Sequence, residues 1–76
     1  MKELLEYIAQ NLVDKPEEVR VKEVVKGAET ILELRVAQSD MGKVIGRQGR
    51  IVGEIRTLMK SVAQRQGKRV SVEILD

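Results

Sequence analysis

The sequence predicts an α+β domain in which three helices pack on one face of a three-stranded mixed sheet, in the order helix, strand, strand, helix, helix, strand. Three observations predict it. Residues 30–36 and 70–74 alternate apolar and other residues with a period of two, as half-buried strands do. Residues 2–13 and 51–65 instead repeat apolar residues at helical spacing. Between the second strand and the long helix stands Val44-Ile45-Gly46-Arg47-Gln48-Gly49-Arg50-Ile51-Val52, a basic glycine loop between two apolar helical patterns.

The elements follow in order. Leu4, Leu5, Ile8, Leu12 and Val13 mark one face of a helix, with Glu3, Glu6 and Gln10 turned to water. Asp14-Lys15-Pro16 closes it. Residues 18–25 read as a strand, with Val19 and Val21 on one face and Arg20 and Lys22 on the other. The alternation slips at Glu23-Val24-Val25, which predicts a bulge or strand end. Lys26-Gly27-Ala28-Glu29 makes a turn into the second strand, where Thr30, Leu32, Leu34 and Val36 alternate with Ile31, Glu33 and Arg35, giving an antiparallel hairpin. Ser39 or Asp40 can cap a short helix through Val44 or Ile45. After the glycine loop, Ile51, Val52, Ile55, Leu58, Met59, Val62 and Ala63 line a helix to about Arg65, with Gly67 placed for a left-handed end. Val70, Val72 and Ile74 form the last strand; reached by a helical crossover, it can lie parallel to the second. Arg20, Lys22, Glu33, Arg35 and Glu73 would cover the open sheet face. Gly42 and Gly53 fall inside helices, where glycine costs about 1 kcal/mol relative to alanine, and close crossing of the two helices is the expected compensation.

A chain of 76 residues affords one domain and one small core, so self-association is expected to help its stability. It contains no cysteine and no histidine. Disulfides, thiolate or imidazole metal sites and Ser-His or Cys-His nucleophiles are thereby excluded or lack their usual residues, and neither catalysis, a cofactor nor a metal is expected. Glu3 and Glu6 interrupt the first apolar residues before a signal-peptide core or membrane span could form; no membrane association is expected, and the chain should stay in the compartment where it is made. Net charge is only +2, but residues 41–70 hold eight bases against the single acid Glu54, whereas residues 1–40 hold six bases and nine acids. A polyanion responds to that distribution rather than to the sum.

The loop explains what such charge could serve. Gly46 and Gly49 allow positive φ and close approach of a ligand to bare backbone. The helix after Gly49 offers free N–H groups and the positive end of its dipole to an anion. Arg47 and Gln48 add donors. The Gly-x-x-Gly spacing alone would equally serve a tight interhelical turn. Its surroundings decide: Ile45 before the loop, Val52 and Ile55 at helical spacing after it, and strands on both outer sides match Ile-Gly-x-x-Gly-x-x-(Ile/Val)-x-x-Ile.

That signature resembles the KH domain, whose Gly-x-x-Gly loop clamps the backbone of about four nucleotides of single-stranded RNA. The element order is similar to the bacterial, type II arrangement across nearly the whole chain, 1–76 being one domain. More narrowly, it resembles the small single-domain proteins of the KhpA family. The resemblance implies that Gly46, Arg47, Gln48 and Gly49, with Arg50, hold phosphates. It places Lys43, Val44, Ile45 and Val52 beside the bases, and Val70, Ser71 and Val72 on the far edge of the groove. It also implies a cytoplasmic location, post-transcriptional regulation or RNA chaperoning, a role in cell shape, and a homodimer or a heterodimer with a larger Jag-type KH protein.

The lack of Phe and Trp, with Tyr7 the only aromatic residue, disfavours folds that stack bases on exposed rings. Two other classes compete. One is a dimerisation or scaffold module using the loop for protein contact; the other is a helix-turn-helix reader of duplex DNA, whose first helix would be very short.

Overall fold

A computed structural model describes residues 1–76. Its sheet is ordered β1 (Arg20–Lys26), β2 (Glu29–Arg35), β3 (Arg69–Leu75), with β1 and β2 antiparallel and β2 and β3 parallel. Helices α1 (Lys2–Leu12), α2 (Met41–Ile45) and α3 (Arg50–Arg65) complete the predicted order.

Leu32 and Leu34 on the central strand are fully buried, and Val21, Val70 and Val72 join them on the same sheet face. Leu5 and Ala9 of α1 and Ile55, Met59 and Ala63 of α3 close that core from above. Truncating a fully buried residue such as Leu5 or Met59 to alanine removes about 2–5 kcal/mol, a large share of what a chain this size can hold. The helical stripe read from sequence is wider than the contact itself: Leu58 stays 46% exposed, outside the core.

Turn chemistry fixes the ends. Gly27, at φ +58°, sits in the two-residue connection between the paired Lys26 and Glu29. Helix α3 ends in a Schellman arrangement, in which Lys68 N–H donates to the Ala63 carbonyl at 2.9 Å and Gly67 N–H to that of Gln64 at 3.1 Å. Gly67 is left-handed there, at φ +68°.

Three expectations need correction. β1 begins at Arg20, and its ladder runs unbroken from Arg20–Arg35 to Lys26–Glu29, so there is no bulge. The alternation slips because the end of β1 lies beyond the helices: Val25 is 69% exposed, and burial does not constrain that position. Gly42 and Gly53 do not mark a helix crossing. A Cβ built on either would meet nothing within 4 Å, and both face open space. Asp40 occupies the N-cap position of α2 but makes no capping bond; its carboxylate turns inward to another partner, described below.

Candidate nucleic-acid interface

The loop between α2 and α3 is built on backbone that only particular residues tolerate. Gly46 lies at φ +78°, ψ 173°, a region essentially reserved for glycine. A Cβ there would stand 2.6 Å from Ile51 Cγ1 and 2.9 Å from the Ile51 backbone nitrogen. Gly46 N–H donates to the Gly42 carbonyl at 2.9 Å, closing α2, and Gly49 N–H donates to the Gly46 carbonyl at 3.2 Å, folding the bend on itself. Gln48 is the one non-glycine residue at positive φ, +56°. Gly49, at φ +75°, ψ 17°, starts α3 in left-handed geometry.

These dihedrals leave Arg47 and Gln48 exposed at the tip. Their amides have no backbone acceptor in the turn. Helix α3 begins with no side-chain cap and no acidic residue in its first turn. Arg50 N–H donates to the Arg47 carbonyl, and the positive end of the 16-residue helix, with no side chain capping it, favours an anion. Arg47 and Arg50 add formal charge, and neither has a carboxylate within 4.0 Å.

Lys43, expected beside the bases, is held elsewhere. Its Nζ lies 2.9 Å from Asp14 Oδ2 and 3.8 Å from Asp40 Oδ1. The hydrogen bond and charge of Asp14, with help from Asp40, raise the Lys43 pKa above its usual value despite partial desolvation. Asp40 is the buried partner, 1% exposed, and accepts N–H bonds from Asp14 at 3.1 Å and Lys15 at 3.0 Å. Burial by itself would push its carboxyl pKa up; the two backbone donors with Lys43 and Lys15 outweigh that and hold it below the ordinary 3.8. The chain between α1 and β1 is thus clasped onto the start of α2.

Of the remaining predicted residues, Ile45 is half-buried and lines a cleft of about 530 Å³ with Val36, Gln38, Met41 and Asp76. Val44, Val52, Val70 and Val72 are buried and lie beneath the surface as core. Ser71 pairs with Ile31 on the sheet face opposite the helices, away from the loop. The β3 edge is reached through its backbone instead: Arg56 Nε donates to the Val72 carbonyl at 3.1 Å, tying α3 to the strand. Sequence reasoning missed Val36, Met41 and Arg56. Met41 lies one helical turn before Ile45, and that spacing was the available signal; nothing in the sequence pairs Arg56 with Val72.

The chain matches the family model "KhpA/KhpB, KH domain" over residues 2–74. It is 58% identical over 77 residues to the RNA-binding protein KhpA of Chlamydia pneumoniae, covering all of this chain and 97% of that one. It is 59% identical over 75 residues to the protein of the same name from Clostridium acetobutylicum, covering 99% and 100%. The corresponding Borreliella burgdorferi protein is 53% identical over 74 residues, covering 97% and 90%. These names describe binding, and the family is not known as one of enzymes. Among solved structures, a variant of Aquifex aeolicus Era bound to GDP and an aluminium fluoride superposes with a TM-score of 0.65 at 20% identity, over 96% of this chain and 28% of that longer one, a likeness of fold alone. The helix–strand–strand–helix–helix–strand order, the mixed sheet and the glycine bend are those of a type II KH domain, and this chain belongs to the KhpA/KhpB family of KH-domain proteins.

Proposed function

We propose that the chain binds single-stranded RNA without catalysis, gripping phosphates with the Gly46–Gly49 bend and seating about four bases in the adjoining aliphatic cleft. One observation carries the reading. Two exposed residues with free amides, an uncapped helix start and two unpaired guanidinium groups converge on one bend. The relatives named as RNA-binding proteins support it. Affinity for one domain is modest, because stacking on aromatic rings, worth about 1–3 kcal/mol per base, is missing. The corresponding role is that of a post-transcriptional regulator or RNA chaperone in the cytoplasm; no helix is long and apolar enough to cross a membrane.

The test is the double substitution Arg47→Asp with Gln48→Asp. Both positions are exposed, and aspartate tolerates the left-handed backbone at residue 48, so the fold is kept while two carboxylates face the phosphate. RNA affinity should fall at least tenfold in a fluorescence titration. Unchanged affinity with an intact amide spectrum removes the loop from the interface.

Pairing with a second KH chain, a copy or a larger Jag-type protein, belongs to the same reading. Exposed Leu12 and Leu58 beside half-buried Ile8 and Ile51 form an apolar strip that supports it. Sedimentation across a concentration series reports the self-pairing directly.

A further inference from the structure

The cleft beside Ile45 reaches Asp76, just past the end of β3, and the start of that strand carries its own cationic site. Along α3, Arg56, Lys60 and Gln64 follow one another at four-residue spacing, so they share the face turned to the β3 edge. The Arg56 bond to the Val72 carbonyl fixes that orientation. Beyond Arg56 the seam opens into a second depression of about 320 Å³, lined by Lys60, Gln64, Lys68, Arg69, Val70 and Glu29. Three bases meet a single acid there. Neither Lys60, Lys68 nor Arg69 has a carboxylate within 4.0 Å. The Schellman turn at Gly67 brings Lys68 and Arg69 to the same end of the helix as Gln64.

We propose that this depression is a second phosphate site, which receives the strand after it leaves the four-nucleotide groove and lengthens the RNA footprint along α3. The inference rests on the RNA-binding reading above. The distance fits: Arg50 and Lys60 are separated by about 15 Å along the axis at 1.5 Å rise per residue. A strand advances at least the stacked spacing of about 3.4 Å per nucleotide, so four nucleotides cover about 14 Å or more, enough for the following phosphate to reach Lys60. The arrangement selects length rather than sequence, because three flexible cations and an amide recognise phosphate oxygens without reading a base edge.

The experiment compares a four-nucleotide with a ten-nucleotide oligouridylate on the full chain and on Lys60→Gln with Lys68→Gln. Both substituted side chains are exposed, and the amide spectrum verifies that the fold persists. Weak affinities are read from amide chemical shifts. The tetramer should bind both proteins alike. For the decamer, the variant should lose several-fold in affinity, and its log-log salt slope should shrink by roughly 1.4, about 0.7 for each lost contact. The number of binding registers on the decamer is the same for both proteins and cancels. Equal decamer affinity and slope in the two proteins overturn the second site, as does an equal loss on both lengths, which is what a general field would give. Failure of the underlying reading looks different: Arg47→Asp with Gln48→Asp would then leave tetramer binding intact.

Discussion

Lys43 and Arg47 stand four residues apart on either side of Gly46, yet their charges are held in opposite ways. Lys43 is hydrogen-bonded to Asp14 and lies near the buried carboxylate of Asp40. Arg47 projects from the bend without a partner. The contrast extends to the regions they belong to. All three ion pairs of the molecule involve the N-terminus or Lys43, while the bases from Arg47 through Arg69 have none. Lys2, Lys15, Arg20, Lys22, Lys26 and Arg35 are unpaired too, but they stand among nine acids, whereas Glu54 is the single acid among residues 41–70. A base already neutralised by a carboxylate offers little to an incoming phosphate, and the excess available to an anion lies after Gly46.

The largest change comes from breaking the bend that separates the two regions. Gly46→Ala must relieve a 2.6 Å approach to Ile51 and adopt a backbone region alanine avoids, and it should lower unfolding free energy by about 3 kcal/mol in a urea titration. Gly49→Ala is the control. Its added Cβ would lie no closer than 3.9 Å to Val52 Cγ1, so it should lose only about 1–2 kcal/mol for left-handed strain. Equal losses would show that packing against Ile51 does not distinguish the two glycines.

A smaller effect is expected from the clasp. Because Asp40 has a depressed pKa when folded, its ionised form stabilises the protein above the ordinary value near 3.8, and that contribution fades as pH falls through the folded value. Asp40→Asn should lower the melting temperature by several degrees between pH 5 and 8, and the gap from the parent should close below pH 4. A gap that persists unchanged to pH 2.5 would mean that the carboxylate's charge contributes nothing.

The smallest change loosens the hold on Lys43. Asp14→Asn removes the nearer of its two carboxylate partners, at 2.9 Å on the exposed side of the clasp, and leaves the buried Asp40 at 3.8 Å, so stability should hardly change. If Lys43 can then swing to RNA, the log-log salt slope should steepen by up to about 0.7. An unaltered slope would place Lys43 out of reach of the bound strand.

Much of this architecture was legible because it is local. Leu32 and Leu34 alternate with Ile31 and Glu33, Gly67 stands where α3 must end, and the spacing of Ile45, Gly46, Gly49 and Val52 defines the bend. What escaped depends on distant chain segments. Asp40 has the chemistry of a helix cap, and only the fold brings the amides of Asp14 and Lys15, 26 and 25 residues away, to its oxygens. The same juxtaposition removes Lys43 from the free bases. Val70 and Val72 alternate as strand residues should, but alternation alone does not say which face meets the helices; burial puts both in the core and leaves the Val72 carbonyl to Arg56. Gly42 and Gly53 looked like a crossing because two adjacent helices each held one, yet both lie on outward surfaces.

The sheet has two rims, and each is protected against recruiting a foreign strand. On β3 the Arg56 side chain already occupies the Val72 carbonyl. On β1 the basic residues Arg20, Lys22 and Lys26 would confront one another if two molecules aligned rim to rim. Rims guarded in this way disfavour edge-to-edge pairing of copies, the first step toward a fibril.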